Sequence, residues 1–175
     1  VRGLAMTTVK FGISFTRRTL NQANALVNIY LDGTVLVATG ATEMGQGVNT
    51  RVRQLVADDL GIAFEAVLVS ATNTDKSNNT SPTAASSGTD LNGAAALDAC
   101  SRIKQRLAVI AAGMLSTDKH GPAPAADIAF ADGHAFLRQD PTRRVAWREL
   151  VNHAYVERVN LGERGFYATP GVDFD

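Results

Sequence analysis

The 175-residue chain is 45% apolar and 19% charged, an ordinary composition for one well-buried globular core. Its 17 basic and 17 acidic residues cancel, which argues against nucleic acid or an anionic membrane surface as the main partner. No apolar run approaches the roughly 20 residues of a membrane span, no secretory signal is visible, and the single Cys100 excludes an internal disulfide and a zinc or iron–sulfur site built by cysteines of this chain. A reducing, cytoplasmic compartment is therefore expected.

In chain order, "KFGISFT" from Lys10 alternates Phe11, Ile13 and Phe15 with small or polar residues and predicts a half-buried strand. "ALVNIYLDGTVLVATG" reads as two β-rich runs joined at Asp32-Gly33, a dipeptide that favours a type I′ hairpin turn. "TEMGQGVNTRVRQLVADDLG" follows, with Val48, Val52, Leu55, Val56 and Leu60 at helical spacing, Arg51, Arg53, Asp58 and Asp59 mostly turned elsewhere, and Gly61 as the stop. "AVLVSAT" predicts a short buried strand. Asn73 to Gly93 is almost free of large apolar residues and predicts loop over most of its length. Leu91, Ala95, Ile103, Leu107, Ile110 and Met114 then outline a long amphipathic helix, for which Ser87, Thr89 or Asp90 could supply the N-cap oxygen. "DIAFADGHAFL" repeats the strand–Asp-Gly–strand pattern at Asp132-Gly133. Trp147, Leu150, Val151, Ala154 and Tyr155 mark a last helix. The two tight hairpins impose antiparallel pairs, so the expected fold is α+β, an antiparallel-rich sheet layered against helices. One subdomain over residues 1–175 is expected, with a core at 1–119 and the second hairpin and last helix at 120–175. The chain starts at Val1 without methionine and stops at Asp175 without an ending signal, so a piece of a larger protein is expected.

Gly-Gln-Gly is a costly way to open a helix. Two readings of it stand: exposed backbone N–H groups at Gly45, Gln46 and Gly47, aimed at an anionic ligand at a helix start, or a glycine turn into the helix with no ligand. "SPTAASSG" stacks small residues and hydroxyls before the second helix in the same way. Glu43 is either an acid–base group or the anion that settles on a helix start. His120, His134 and His153 lack partners at ligand spacing, and Cys100, among alanines and leucines, reads as a small core residue. From the residues alone the chain is a ligand-binding α+β domain of undetermined chemistry.

"KFGISFT", "LNQA.ALV.IY.DG.VLV", "G.TEMGQG", "NTSPTAASSGTDLNG" and "GFYATPG" occur here in an order that resembles the molybdenum-binding subunit of the xanthine dehydrogenases, the family of xanthine oxidase and aldehyde oxidase. The likeness runs from Arg2 to Asn92, fades, and resumes near Gly165. It implies a molybdenum–molybdopterin cofactor whose metal is held by the pterin's own dithiolene sulfurs. It implies Met44, Gly45 and Gln46 as cofactor contacts, with Thr83, Ala84, Ala85, Ser86 and Ser87 wrapping the pterin and its phosphate. Gly88 stands where relatives carry a hydroxyl. Phe15 and Thr16 are implied as the aromatic wall and hydroxyl that orient a purine, bordered by Ala84 and Ala85. The implied activity is hydroxylation of hypoxanthine and xanthine to urate in purine catabolism. The general-base glutamate lies beyond Asp175, and the other purine-contacting residues before Val1, so no catalytic residue falls in this chain, and alone it is expected to be inactive. FAD and [2Fe-2S] clusters are expected in other domains or subunits. A molybdenum hydroxylase of aldehydes or other N-heterocycles, and a non-catalytic phospholigand-binding domain, are the rival readings.

Overall fold

A computed structural model describes residues 2–8, 13–117 and 121–172. The strands are β1 (Gln22–Ile29), β2 (Val35–Thr39), β3 (Val67–Val69), β4 (Ile128–Ala131), β5 (His134–Leu137), β6 (Asp140–Ala146) and β7 (Gly162–Ala168). The helices are α1 (Val48–Leu60), α2 (Gly88–Leu115) and α3 (Trp147–Val156). Two sheets form, of order β3-β2-β1-β7 and β4-β5-β6. Every pair is antiparallel except β2 with β3. That pair is parallel because α1 carries the chain across between them, as a parallel connection requires. The α+β expectation holds, with the helical layer shared between two sheets.

The first hairpin does not use a type I′ turn. Tyr30 pairs with Thr34, Gly33 N–H donates to Tyr30 O at 2.8 Å, and only Gly33 of the loop has positive φ. This is a three-residue loop with a type I turn, stabilised by Asp32 Oδ1, which accepts from Thr34 N–H at 2.9 Å. The second hairpin is the two-residue form: Ala131 pairs with His134, and Asp132 and Gly133 have φ of 51° and 71°. Two strands escaped the sequence reading. β6 (DPTRRVA) is polar and mostly exposed, and β7 (GERGFYA) carries two glycines, so neither shows clean alternation.

The expected strand at "KFGISFT" does not form over its described part. Lys10, Phe11 and Gly12 lie outside the described residues, and Ile13 to Thr16 are irregular, with Ser14 at φ 109°. Asn21 dictates this shape. Its Oδ1 accepts from Phe15 N–H and its Nδ2 donates to Phe15 O, both at 2.8 Å, so the side chain satisfies the backbone that a ladder would otherwise pair.

α2 is the spine of the molecule. It packs on α1, β1, β7, α3 and all three strands of the second sheet. Its buried face carries Ala95, Ala96, Ala99, Ile103, Leu107 and Ala111, and the small residues let the sheet come close. At β7 the approach is backbone to backbone: a Cβ on Gly165 would stand 2.0 Å from Ala95 O. Leu91, Ile103 and Leu107 are each worth about 1.5–3 kcal/mol by burial. Cys100 is buried among them. Burial first, then the nearby Asp59 charge, pushes its thiol up to about 12, so it packs and does not attack. In α3, Trp147, Leu150, Val151 and Ala154 are buried as expected, whereas Tyr155 faces solvent. Trp147 joins the two sheets: Nε1 donates to Gly33 O at 2.9 Å, and its ring meets Phe130 edge-on at 6.5 Å.

Candidate functional site

The loops that precede α1 and α2 meet at one hollow of about 410 Å³, lined by Met44, Gln46, Val48, Arg51, Thr83, Ala84, Ser86, Gly88 and Thr89. Val48 is the first residue of α1, and Gly88 and Thr89 are the first two of α2, so two helix starts open on the same space. A direct hydrogen bond ties the loops, Thr42 N–H to Thr83 Oγ1 at 2.9 Å.

The first loop is closed on itself. Glu43 Oε1 accepts from the N–H groups of Gly45 and Gly47, both at 2.9 Å, and Oε2 accepts from Asn49 N–H at 3.0 Å. These bonds, the one from Asn49 foremost, hold the Glu43 carboxyl below its ordinary range. Gln46 bridges the same turn, its Oε1 accepting from Met44 N–H at 2.6 Å and its Nε2 donating to Thr42 O at 2.8 Å. The glycines are explained: Gly45 and Gly47 have φ of 96° and 79°, a path an L side chain resists, and that path curls the amides round Glu43. The expectation that the Gly45 and Gly47 amides stand free for a ligand is therefore corrected. Glu43 is the anion on the start of α1, the second of the two roles read for it.

The second loop is open at its tip. From Asn78 to Ser81 it is lashed to β1 and its lead-in: Asn24 Nδ2 donates to Asn78, Asn79 Nδ2 to Gln22 Oε1 at 3.2 Å, and Ser81 Oγ to the carbonyls of Leu20 and Gln22. At the tip, Ala85 and Ser86 both take left-handed φ, 53° and 56°, and Ser87 N–H returns to Ala84 O at 3.2 Å, closing a I′-like turn without glycine. Two such residues cost about 1–2 kcal/mol each, the kind of strain that gathers at binding sites. Ser87 stands at the N-cap of α2 but does not cap it with its side chain. Its Oγ donates to Ala84 O at 2.9 Å, and the residue is buried. The expected capping by Ser87, Thr89 or Asp90 is thus absent.

Met44, Gln46, Thr83, Ala84 and Ser86 line the hollow. Gly45, Ala85 and Ser87 belong to the same loops without lining it. Phe15 is half-buried and Thr16 exposed; their segment reaches the second loop through Ser14 N–H to Ala85 O at 3.3 Å. Arg51 and Thr89 join the lining although the sequence did not single them out for it. Arg51 lies one turn into α1 on its polar side, and only the loop geometry brings that side to the hollow. Of the histidines, His134 is bonded at Nδ1 to Asp132 O at 2.7 Å, His153 faces solvent, and His120 lies outside the described residues. Among the described residues no three His, Cys, Asp or Glu gather to hold a metal ion, and no helix is long and apolar enough to cross a membrane.

The lining suits a small molecule that carries an anionic group. The lining has small walls at Ala84 and Gly88, hydroxyls at Thr83, Ser86 and Thr89, and no carboxylate. Its volume falls in the range of roughly 300–1,000 Å³ usual for small-molecule sites.

Comparison with known proteins gives the same direction. Xanthine dehydrogenases are 42% identical over 173 residues in Drosophila pseudoobscura pseudoobscura and 43% over 174 in Oryza sativa subsp. japonica. Each alignment takes in 99% of this chain and 11% of the relative, so the chain spans about a ninth of their length. Among solved structures, the CO dehydrogenase from Oligotropha carboxidovorans superposes with a TM-score of 0.73 at 25% identity, over 85% of this chain and 18% of that one. The quinoline 2-oxidoreductase from Pseudomonas putida 86 gives the same score and identity, over 85% of this chain and 19% of its own. The family model described as a molybdopterin cofactor-binding domain matches residues 1–175, and the chain belongs to that family.

Proposed function

We propose that this chain is the part of a xanthine dehydrogenase that grips the molybdopterin, within a longer protein that hydroxylates hypoxanthine and xanthine. The observation that carries the reading is the shared hollow between the two helix starts, with Gln46 and Thr83 both on its lining. When bound, the cofactor supplies a molybdenum centre for oxidative hydroxylation. The chain's own residues position it. Met44 offers an exposed, polarisable side chain at the rim, and Gln46 presents a turn held rigid by its own amide. The small side chains of Ala84 and Ala85 let a flat molecule lie against the main chain, the hydroxyls of Thr83 and Ser86 stand beside it as donors, and Ser87 holds the turn behind them through its bond to Ala84 O. Phe15 and Thr16 belong to the substrate side, as an aromatic wall for a planar ring and a hydroxyl that sets its register. General-base chemistry, FAD and iron–sulfur clusters fall to the rest of the longer protein, and one subdomain placed in the cytoplasm is the matching organisation.

Replacing Gln46 or Thr83 in the full-length protein lowers bound molybdopterin per polypeptide; unchanged content after both replacements would count decisively against the reading. Thr16→Val reduces purine turnover more than cofactor content, and an equal loss of both would sink the substrate assignment. A hydroxylase of aldehydes or other N-heterocycles is the second reading, favoured by the likeness to quinoline 2-oxidoreductase. Turnover of xanthine against an aromatic aldehyde and quinoline separates the two. Absence of molybdenum from the native protein would leave a non-catalytic phospholigand domain.

A further inference from the structure

One charged side chain lines the hollow, that of Arg51. Its Nη1 donates to Gln46 O at 2.8 Å, which pins the guanidinium to the first loop. Its Nε and Nη2 have no partner among the described residues, and no carboxylate there pairs with it. Glu43, the acid of the loop that leads into α1, spends both oxygens on the amides of Gly45, Gly47 and Asn49. Across the hollow, the hydroxyls of Ser86 and Thr89 likewise lack protein partners, and Thr83 Oγ1, accepting from Thr42, keeps its own proton to donate. An un-neutralised guanidinium facing three available hydroxyl donors is a constellation for a tetrahedral oxyanion. Arg suits this better than Lys, because its planar fork gives two parallel donors while a third N–H holds the backbone.

We infer that Arg51 binds the terminal phosphate of the cofactor, opposite Ser86 and Thr89, and so does the work that a hydroxyl at Gly88 would otherwise share. The inference deepens the proposed function and rests on it. The ligand class is a phosphate monoester on a ring-bearing molecule. Arg51 also has a positioning part, since the same side chain holds the Gln46 carbonyl.

The test uses the full-length protein purified with its cofactor, comparing wild type, Arg51→Met and Arg51→Lys for molybdopterin retained during dialysis at low and high salt. One charge-assisted hydrogen-bond pair corresponds to at least about tenfold faster loss of cofactor from Arg51→Met at low salt. Salt speeds the loss from wild type and scarcely changes Arg51→Met, because screening acts on the charge the variant lacks. Arg51→Lys falls between the two and keeps the salt dependence of wild type, since a point charge still binds phosphate but lacks the planar fork. Equal retention by Arg51→Met and wild type overturns the inference and leaves the proposed function standing. Loss from Arg51→Lys as fast as from Arg51→Met also overturns it, reducing Arg51 to a strut for the loop. Wild-type protein without any pterin overturns the proposed function itself, a separable result. Arg51 is exposed, so unfolding does not confuse the comparison, and an unchanged thermal midpoint in Arg51→Met checks this.

Discussion

The two helix starts that share the hollow solve the same electrostatic problem in opposite ways. α1 begins with a positive end that its own chain neutralises: Glu43 takes three amides, and the glycines bend the backbone round it. α2 begins without a side-chain cap, and its N-cap hydroxyl is turned back into the strained turn before it. A helix start satisfied within the chain is a rigid wall, and one left unsatisfied is a place for an external anion. The hollow therefore has a built side and a receiving side, joined by the Thr42–Thr83 bond.

The comparison can be broken most severely at Gly165. A Cβ there would meet the backbone of α2 at Ala95 and Ala99, so Gly165→Ala forces β7 and α2 apart and displaces the start of α2 relative to that of α1. A loss of about 3 kcal/mol in urea unfolding is expected, and a loss below half that figure would mean the close approach is not needed. Next comes Thr83→Val, which removes the acceptor for Thr42 N–H and unties the two sides. About 1 kcal/mol of stability is lost, together with cofactor content; retained content would show that the bond is incidental. A sharper test of the strained side is Ser86→Gly. It relieves a left-handed residue but adds chain entropy to the unfolded state. Stability should change by less than about 1 kcal/mol, while cofactor retention falls with the hydroxyl.

The smallest effect is expected at Glu43. Its carboxyl is held below the usual value near 4.3 by amides that the unfolded chain does not offer it. A depressed folded pKa means stabilisation present above the unfolded value and lost as pH falls through the folded one. Protection of the Gly45, Gly47 and Asn49 amides, relative to intrinsic exchange at each pH, should thus be high at neutral pH and fall as pH drops through the lowered value of the carboxyl. In Glu43→Gln the exchange at these amides should already be fast at pH 7, and protection equal to wild type would show that the carboxylate does not hold the turn.

Much of the fold was legible because it is written locally. α1 announces itself through Val48, Val52, Val56 and Leu60 and its Gly61 stop, α2 through Leu91, Ala95, Ile103 and Leu107, and the second hairpin through Asp132-Gly133. What escaped depends on partners distant in sequence. β7 is a strand because β1 pairs with it, Gln22 to Ala168 and Asn28 to Gly162, not because its side chains alternate. "KFGISFT" has the right alternation, yet its described part is not a strand, since Asn21 takes the backbone of Phe15. At the site, Gln46, Thr83, Ala84 and Ser86 were legible as small or polar residues ahead of two helices, and Met44 only through the family resemblance. Arg51 was not, because helical periodicity only assigned it to the polar face.

By itself the sequence determined which segments are helices, which Asp-Gly pairs make turns, and that two unusual loops each lead into a helix. These are properties of neighbouring residues, set by side-chain period and backbone preference. Tertiary structure alone decided that the loops converge on one hollow, that Glu43 consumes the amides of the first, and that Arg51 is left facing the second with its charge unmet. Those outcomes depend on which donors and acceptors the packed sheet and α2 bring within about 3 Å of one another, and hydrogen bonds of that reach are not encoded in spacing along the chain.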